Sequence, residues 1–288
     1  MFTADNWKDY ELIDASDGER LERWNEYILI RPDPQIIWSG ERKNPLWSKA
    51  DGIYRRSHDG GGEWIKKDIP DEWTVRYRDM EFILSPMGFK HTGLFPEQAA
   101  NWDYMQSVIK NSDRKIKVLN LFAYTGAASV AAAKAGAFVC HVDASKGMTA
   151  RAKQNAVKSG CGEDTIRFIV DDCIKFVERE ARRNSFYDGI ILDPPSFGRG
   201  PKGEKWVLEE HIDELVGKIA GVLSEKPLFV ILNSYTAGLS PSVCGYILSK
   251  TVCPRFGGKV ESDELGLPVK ETGLYLPCGS AARWTLTL

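Results

Sequence analysis

Apolar residues recur in two different rhythms along the chain, and the change falls near its first third. From Glu26 to about Met87 the runs are short and alternating: YILIRPDPQIIW, GIYRRSHDGGGEWI and WTVRYRDMEFILSP, punctuated by Gly, Pro and Asp. This spacing predicts a mostly β region of short strands. WTVRYRDMEFIL reads as a hairpin with Arg78-Asp79 at its turn. GFKHTGLFPEQAANWDYMQSVIKNSDRK follows as a loop and then an amphipathic helix. Pro96 suits the first helical turn, and Trp102, Met105 and Ile109 share one face. From Lys115 onward, short apolar runs alternate with longer helical patterns. Strands are expected at 116–121, 137–142, 166–170, 187–192 and 227–233, and more weakly near 258–263 and 282–287. Helices are expected near 127–135, 146–158, 173–183, 206–223 and 240–251. Strand–helix alternation of this kind predicts a parallel sheet covered on both faces. FGRGPKGEK, 197–205, reads as the most loop-like stretch of this half. The expected division is 1–94 as a β-rich domain and 95–288 as an α/β domain.

The stretch VLNLFAYTGAASVAAAKAGAFVCHVDAS, 118–145, carries the first chemistry. It lacks the Gly-Lys-Ser/Thr of a phosphate-binding P-loop. It also lacks the three glycines that let a backbone approach a pyrophosphate. One glycine turn, Ala123-Tyr124-Thr125-Gly126, admits one small group at a helix N-terminus. Asp143, ending the second strand, has a carboxylate able to accept from both hydroxyls of a ribose. An adenosine with an amino acid and no phosphate fits this pair, which describes S-adenosylmethionine. A turn of this fold that binds another ligand is the alternative. Further along, Asp172 in FIVDDCIKFV is placed to accept from an exocyclic amine, and the Cys173 N–H to serve a ring nitrogen. Asp171 or Asp172 equally suits an N-cap. In ILDPPSFGRG, Asp193 ends the fourth strand, and open α/β sheets bind ligands at such ends. Pro194 and Pro195 stiffen the chain there, and Phe197 is placed to wall a planar base.

These stretches, NLFAYTGAASVAAAKAGA, VDAS, DDCIKFV and DPPSFGRG, resemble motifs I to IV of class I S-adenosylmethionine-dependent methyltransferases. With KHTGLFPEQ upstream, the chain is similar to the large-subunit ribosomal RNA base methyltransferases with cytosine-C5 and guanine-N7 members. The resemblance implies a Rossmann-like, seven-stranded α/β domain preceded by a smaller β-rich α+β domain. It implies S-adenosylmethionine as cofactor, held by Phe122, Tyr124, Thr125, Gly126, Asp143, Ala144, Ser145, Asp172, Cys173, Asp193 and Pro194. The segment His91–Gln98, with Thr92, Phe95 and Gln98, would close over it, and Asp193 and Phe197 would act at the acceptor. Two features depart from the family. Cytosine-C5 members need a cysteine nucleophile after the fifth strand, because C5 is unreactive until C6 is attacked. Here ILNSYTAGLS offers Asn233, Ser234, Tyr235 and Thr236, leaving only Cys278 in LYLPCGSAARW, expected as a loop. The extra PUA-type domain of several relatives is also not expected in this chain. The expected reaction is therefore methyl transfer to an RNA base, probed first on ribosomal RNA, at a nitrogen rather than at C5. A methyltransferase of small molecules or proteins, and a non-catalytic RNA-binding protein, are the alternatives.

Composition narrows this reading only slightly. The formal net charge over 288 residues is −2, so RNA would need a local basic surface. Arg42, Lys43, Lys49, Arg55 and Arg56, interleaved with Trp38, Trp47 and Tyr54, are candidates, as are Lys202 and Lys205. Glu41, Asp51, Asp59 and Glu63 lie among them. Six cysteines form no C-x-x-C pair and four histidines are scattered, so no metal site is expected. Cys140 and Cys173 read as small buried hydrophobes. The acidic start, with no leader-like segment, and reduced thiols point to the cytoplasm. No run of roughly 20 apolar residues is present to span a bilayer. The expected partners are RNA and, as a homodimer, a second copy of the chain.

Overall fold

In the computed structural model the described residues are 1–57, 61–199, 205–236 and 238–286. They fall into two compact units. One comprises residues 1–2, 101–265 and 279–288; the other comprises 3–100 and 266–278. The expected split at residue 94 treats the chain as two contiguous blocks, whereas 266–278 belong with the first hundred residues. The reason lies in two long strands near the C-terminus, each of which runs through both units.

The smaller unit is β-rich. After a two-residue β1 (Phe2–Thr3) come β2 (Tyr10–Ser16), β3 (Glu19–Trp24), β4 (Tyr27–Pro32), β5 (Gly52–Arg56) and β6 (Gly62–Lys66), then β7 (Trp73–Tyr77) and β8 (Met80–Leu84). β2 to β6 form one sheet in chain order and β7–β8 a separate hairpin. Arg78, at its turn, has φ +54°, as the pattern WTVRYRDMEFIL predicts. The β2–β3 hairpin was not foreseen, although Asp17-Gly18 between alternating runs is a strong turn signal. Its two turn residues have φ +51° and +77°. Inside this unit Glu22 is fully buried and accepts from Arg31 through Nε at 2.6 Å and Nη2 at 2.9 Å, and from the Tyr10 hydroxyl at 2.8 Å. Burial works against that carboxylate, but Arg31 and its neighbours leave its pKa below the ordinary value. Such a pair is costly to break, since removing one partner strands the other charge.

The larger unit is the α/β layer. α1 (Ala99–Lys110) opens it and buries Trp102, Met105 and Ile109. Then follow β9 (Lys117–Leu121), α2 (Ala127–Lys134), β10 (Phe138–Asp143), α3 (Lys146–Lys158), β11 (Ile166–Val170), α4 (Cys173–Arg182) and β12 (Gly189–Leu192). Next come β13 (Phe197–Arg199), β14 (Lys205–Val207), α5 (Leu208–Ala220), β15 (Phe229–Ser234), α6 (Pro241–Thr251), α7 (Cys253–Phe256), β16 (Lys259–Pro268) and β17 (Tyr275–Thr285). The main sheet has the order β1-β16-β17-β15-β12-β9-β10-β11. β15, β12, β9, β10 and β11 are parallel, and β17 runs antiparallel to β15. Seven of these strands are the expected ones, and the two-residue β1 is an addition. Helix α2 forms because five of the eight residues of AASVAAAK are alanine, the strongest helix former, and it ends at Gly136 with φ +100°. The faces of the sheet bury residues such as Leu119, Val142, Ile190, Leu215 and Val230. Truncating one such residue to alanine costs about 2–5 kcal/mol.

Three readings are corrected. Residues 197–199 and 205–207 are not loop but a two-stranded antiparallel hairpin, with Phe197 opposite Val207 and Gly198 opposite Trp206. Helix α5 starts at Leu208 rather than 206 for the same reason. Cys278 lies inside β17 and is buried, not in a loop. Residue 287, at the end of the last expected strand, lies outside the described residues.

Candidate functional site

Strand register brings the motif residues to one level. Leu121 pairs with Val142 on one side and with Leu192 on the other, and Asp143 pairs with Val170. Residues 122, 143, 171 and 193 therefore leave the sheet together at its carboxyl edge, where the four following loops converge.

The loop after β9 is wound tightly. Phe122, Tyr124 and Gly126 all have positive φ, +56°, +50° and +83°. For the two non-glycine residues this is a sparsely populated region that costs of order 1–3 kcal/mol each. Several contacts hold it. The Phe122 N–H donates to Cys173 Sγ at 3.2 Å, and the Ala123 N–H to the Val142 carbonyl at 3.1 Å. The Tyr124 N–H donates to Asp143 Oδ2 at 2.8 Å. The buried Asn155 amide donates to the Thr125 carbonyl at 2.9 Å. Gly126 is required here: a Cβ at this position would lie 2.7 Å from that of Ala152. As N-cap of α2 it offers no side chain to the first-turn N–H groups, which leaves donors and a positive helix end facing the loop.

Asp143 is half-buried. Its Oδ1 accepts from the Ser145 N–H at 2.8 Å. Burial raises its pKa, and the backbone donors of Ser145 and Tyr124 pull part of the way back. Each oxygen keeps a second lone pair, so the group suits two further donors. Ala144 is exposed beside it, and Ser145 caps α3 by accepting from the Met148 N–H at 3.3 Å.

The third loop shows how its two acids divide. Asp172 is the N-cap of α4 and accepts from the Lys175 N–H at 2.9 Å. Asp171 pairs with Arg179 and accepts from the Asp172 N–H at 2.9 Å. The Cys173 thiol is buried between Phe122 and the Val142 carbonyl, and burial pushes its pKa up. It is inert packing, as read from the sequence, and its backbone N–H belongs to the first turn of α4.

At the fourth loop, Asp193 is half-buried and its N–H points to the Leu121 carbonyl at 3.5 Å. Pro194 is buried, while Phe197 is 54% exposed. The Ser196 hydroxyl accepts from Thr236 Oγ1 at 2.6 Å, and its carbonyl from the Leu208 N–H at 3.1 Å. Trp206, which the sequence reading passed over, donates from Nε1 to the Pro195 carbonyl at 2.6 Å. Its only signal was an indole close after the two prolines.

Thr92, Phe95 and Gln98 lie in the smaller unit. Thr92 and Gln98 are buried and Phe95 is half-buried. The Thr92 carbonyl accepts from the Ser85 N–H at 3.0 Å, and the rings of His91 and Phe95 are 5.2 Å apart. Also in this unit, Arg42 is spoken for. It lies 4.1 Å over the Trp47 ring and pairs with Glu19 at 2.8 Å and Asp17 at 3.4 Å. Tyr54 is buried, whereas Lys49, Arg55 and Arg56 are exposed. Lys202 and Asp59 lie outside the described residues. Among the described residues no helix is long and apolar enough to cross a membrane.

The family model for an S-adenosylmethionine-dependent methyltransferase matches residues 43–233. The chain belongs to the S-adenosylmethionine-dependent methyltransferase family. It is an enzyme of that class, with S-adenosylmethionine as its cofactor. A SAM-dependent methyltransferase structure from Agrobacterium tumefaciens superposes with a TM-score of 0.93 at 36% identity, covering 99% of this chain and 93% of that one. Ribosomal RNA large subunit methyltransferase K/L of Shewanella frigidimarina is 30% identical over 252 residues, 78% of this methyltransferase and 34% of the relative. The same-named protein of Shewanella baltica is 32% identical over 210 residues, 72% of this chain and 26% of the relative. The chain thus spans about a third or less of the length of these relatives. The loops at the carboxyl edge fit the cofactor: a spare lone pair on each Asp143 oxygen for a diol, and first-turn N–H groups of α2 that no side chain caps.

Proposed function

We propose that this methyltransferase transfers the methyl group to a base of RNA, ribosomal RNA being the first candidate, at a nitrogen rather than at C5. The observation that carries the RNA reading is the 30% identity, over 78% of the chain, to a relative named for ribosomal RNA methylation. The nitrogen reading is supported by the strand end at β15. Asn233 Oδ1 accepts from Asn101 Nδ2 at 2.9 Å, and Ser234 Oγ from the Thr236 N–H at 3.2 Å. No thiol stands there to attack a pyrimidine C6.

Bound S-adenosylmethionine supplies a methyl group already activated on a sulfonium. The chain's part is to hold and to orient. Asp143 accepts from the ribose hydroxyls, with Ala144 and Ser145 beside it. The loop Phe122–Gly126 approaches the amino-acid end. Asp172, through its second oxygen, and the Cys173 N–H meet the adenine. Asp193 accepts from an N–H of the base, next to Pro194, and the exposed Phe197 ring stacks on it. Stacking is worth about 1–3 kcal/mol per base, and alignment of the acceptor supplies about 7–11 kcal/mol. The β-rich unit serves recognition, with Lys49, Arg55 and Arg56 as phosphate contacts.

The test is transfer of labelled methyl from S-adenosylmethionine to total RNA from cells lacking this gene, followed by nucleoside analysis. A labelled N-methyl nucleoside is the expected product. Label in protein or small molecules alone would replace RNA as the acceptor, and a 5-methylpyrimidine would refute the nitrogen reading.

A further inference from the structure

The β13–β14 hairpin has two faces, and they do different things. Phe197 pairs across from Val207, and Gly198 from Trp206. Residues paired across two strands project to the same side, and neighbours along a strand to opposite sides. Phe197 therefore projects away from Trp206. Phe197 is exposed, whereas Trp206 turns inward and packs against the main core.

Trp206 meets both halves of the site. Its ring centroid lies 5.4 Å from that of Phe122, inclined at 41°, and Phe122 belongs to the strained loop after β9. Its Nε1 donates to the Pro195 carbonyl at 2.6 Å, two residues past Asp193. That carbonyl accepts from a side chain within a segment where Pro194 and Pro195 carry no N–H to anchor the chain. His211 stacks on the indole at 5.2 Å and 25°, and its Nδ1 lies 2.8 Å from the Val207 carbonyl. The indole is thus held from below while it holds Phe122 and Pro195. Thr236, two residues past β15 and bonded to Ser196, tethers the same segment.

We infer that Trp206 is a positioning residue that couples the cofactor loop at Phe122 to the acceptor segment Asp193–Phe197, with Thr236 as a second tether. This rests on the reading of that segment as the acceptor side. The coupling has a direct consequence. A ligand that settles the Phe122–Gly126 loop also settles Asp193 and Phe197, because one rigid indole touches both. Binding of cofactor then prepares the place where the acceptor must lie.

Trp206→Phe keeps a ring and loses the N–H, and Thr236→Val loses the hydroxyl. In the wild type, S-adenosylhomocysteine is expected to slow backbone hydrogen exchange both in 122–126 and at Ser196, Phe197 and Gly198. In Trp206→Phe the first protection stays and the second is lost. With acceptor, kcat falls about tenfold or more, a loss within what misalignment of reacting groups can cause. S-adenosylhomocysteine affinity stays within about twofold of wild type, a difference below 0.5 kcal/mol. A core variant outside the hairpin, such as Ile219→Val, selected for a measured loss in Tm that matches that of Trp206→Phe, must keep both protections and its kcat. Trp206→Phe with protection of 196–198 intact overturns the coupling, as does a parallel fall in affinity and turnover. The exchange measurement needs no acceptor. If wild type methylates no RNA, the RNA reading fails while the exchange result still decides the role of Trp206.

Discussion

Asp143 ties the Tyr124 amide to one carboxylate oxygen and the Ser145 amide to the other, both at 2.8 Å. The residue proposed for the ribose is therefore also the joint between the cofactor loop and the start of α3. Asp143→Ala removes both functions. S-adenosylhomocysteine affinity, read by calorimetry, is expected to fall by about 1–3 kcal/mol for each charged hydrogen bond lost. Urea unfolding should register a loss as well, because two backbone donors lose their partner. Asp143→Asn keeps one acceptor oxygen and should fall between. Unchanged affinity in a folded Asp143→Ala protein would move the ribose elsewhere.

Asp193 and Phe197 are expected to separate binding from chemistry. Their proposed contacts are with the acceptor, so Asp193→Ala and Phe197→Ala should retain most of the cofactor affinity. Turnover should drop, for Phe197 by the equivalent of about 1–3 kcal/mol of stacking. Single-turnover transfer with saturating cofactor measures this. A fully active Phe197→Ala variant would leave the base without its stacking partner.

The chain's periodicity carries most of the α/β unit. Helices α2 to α6 and the five parallel strands can be read from alternation of apolar runs, most of them bounded by a cap, a glycine or a proline. Asp143 and Asp193 are legible for the same reason: they sit where an apolar run stops. The rest depends on contacts between distant residues. FGRGPKGEK reads as loop because the pairing of residues 197–199 with 205–207 leaves no local periodicity. Cys278 reads as loop because Pro277 and Gly279 flank it, yet β17 carries it through as strand. The Asp171–Asp172 pair is ambiguous in sequence, since either acid can cap. Only the bond to the Lys175 N–H selects Asp172.

Acid should destabilise the α/β unit through His141. Its ring is fully buried, with Nδ1 3.0 Å from the Ser129 hydroxyl, which in turn accepts from Asn120 at 2.9 Å. Burial lowers its pKa to about 3, against about 6.5 in an unfolded chain. The native state must keep the ring neutral. Its contribution is therefore complete above about pH 6.5 and declines as pH falls from there toward about 3. The loss approaches about 1.4 kcal/mol per pH unit well inside that window. Urea unfolding between pH 7 and pH 4 should show a shallower acid decline in His141→Asn than in wild type. An identical decline would assign the acid sensitivity to other groups, His91 first, since burial and then Arg31 and Lys90 lower its pKa to about 4.

The last expectation concerns Cys278, the one thiol left for C5 chemistry once the β15 end is found without any. A C5 methylation forms a cysteine–C6 bond, and fluorine at C5 traps it because the proton that must leave is absent. The attacking species is the thiolate. Cys278 is buried in β17, where its Sγ receives the Arg20 Nη2 donor at 3.7 Å and faces the Leu276 carbonyl at 3.3 Å. Burial pushes its pKa well up, and the pull of Arg20 does not reverse that. A neutral thiol inside a strand is a poor nucleophile and out of reach of a base. RNA substituted with 5-fluorocytidine is therefore expected to give no denaturant-stable adduct, and Cys278→Ser to retain transfer activity with some loss of stability. An adduct that forms with wild type and disappears in Cys278→Ser would require β17 to open, and would replace nitrogen with C5 as the acceptor.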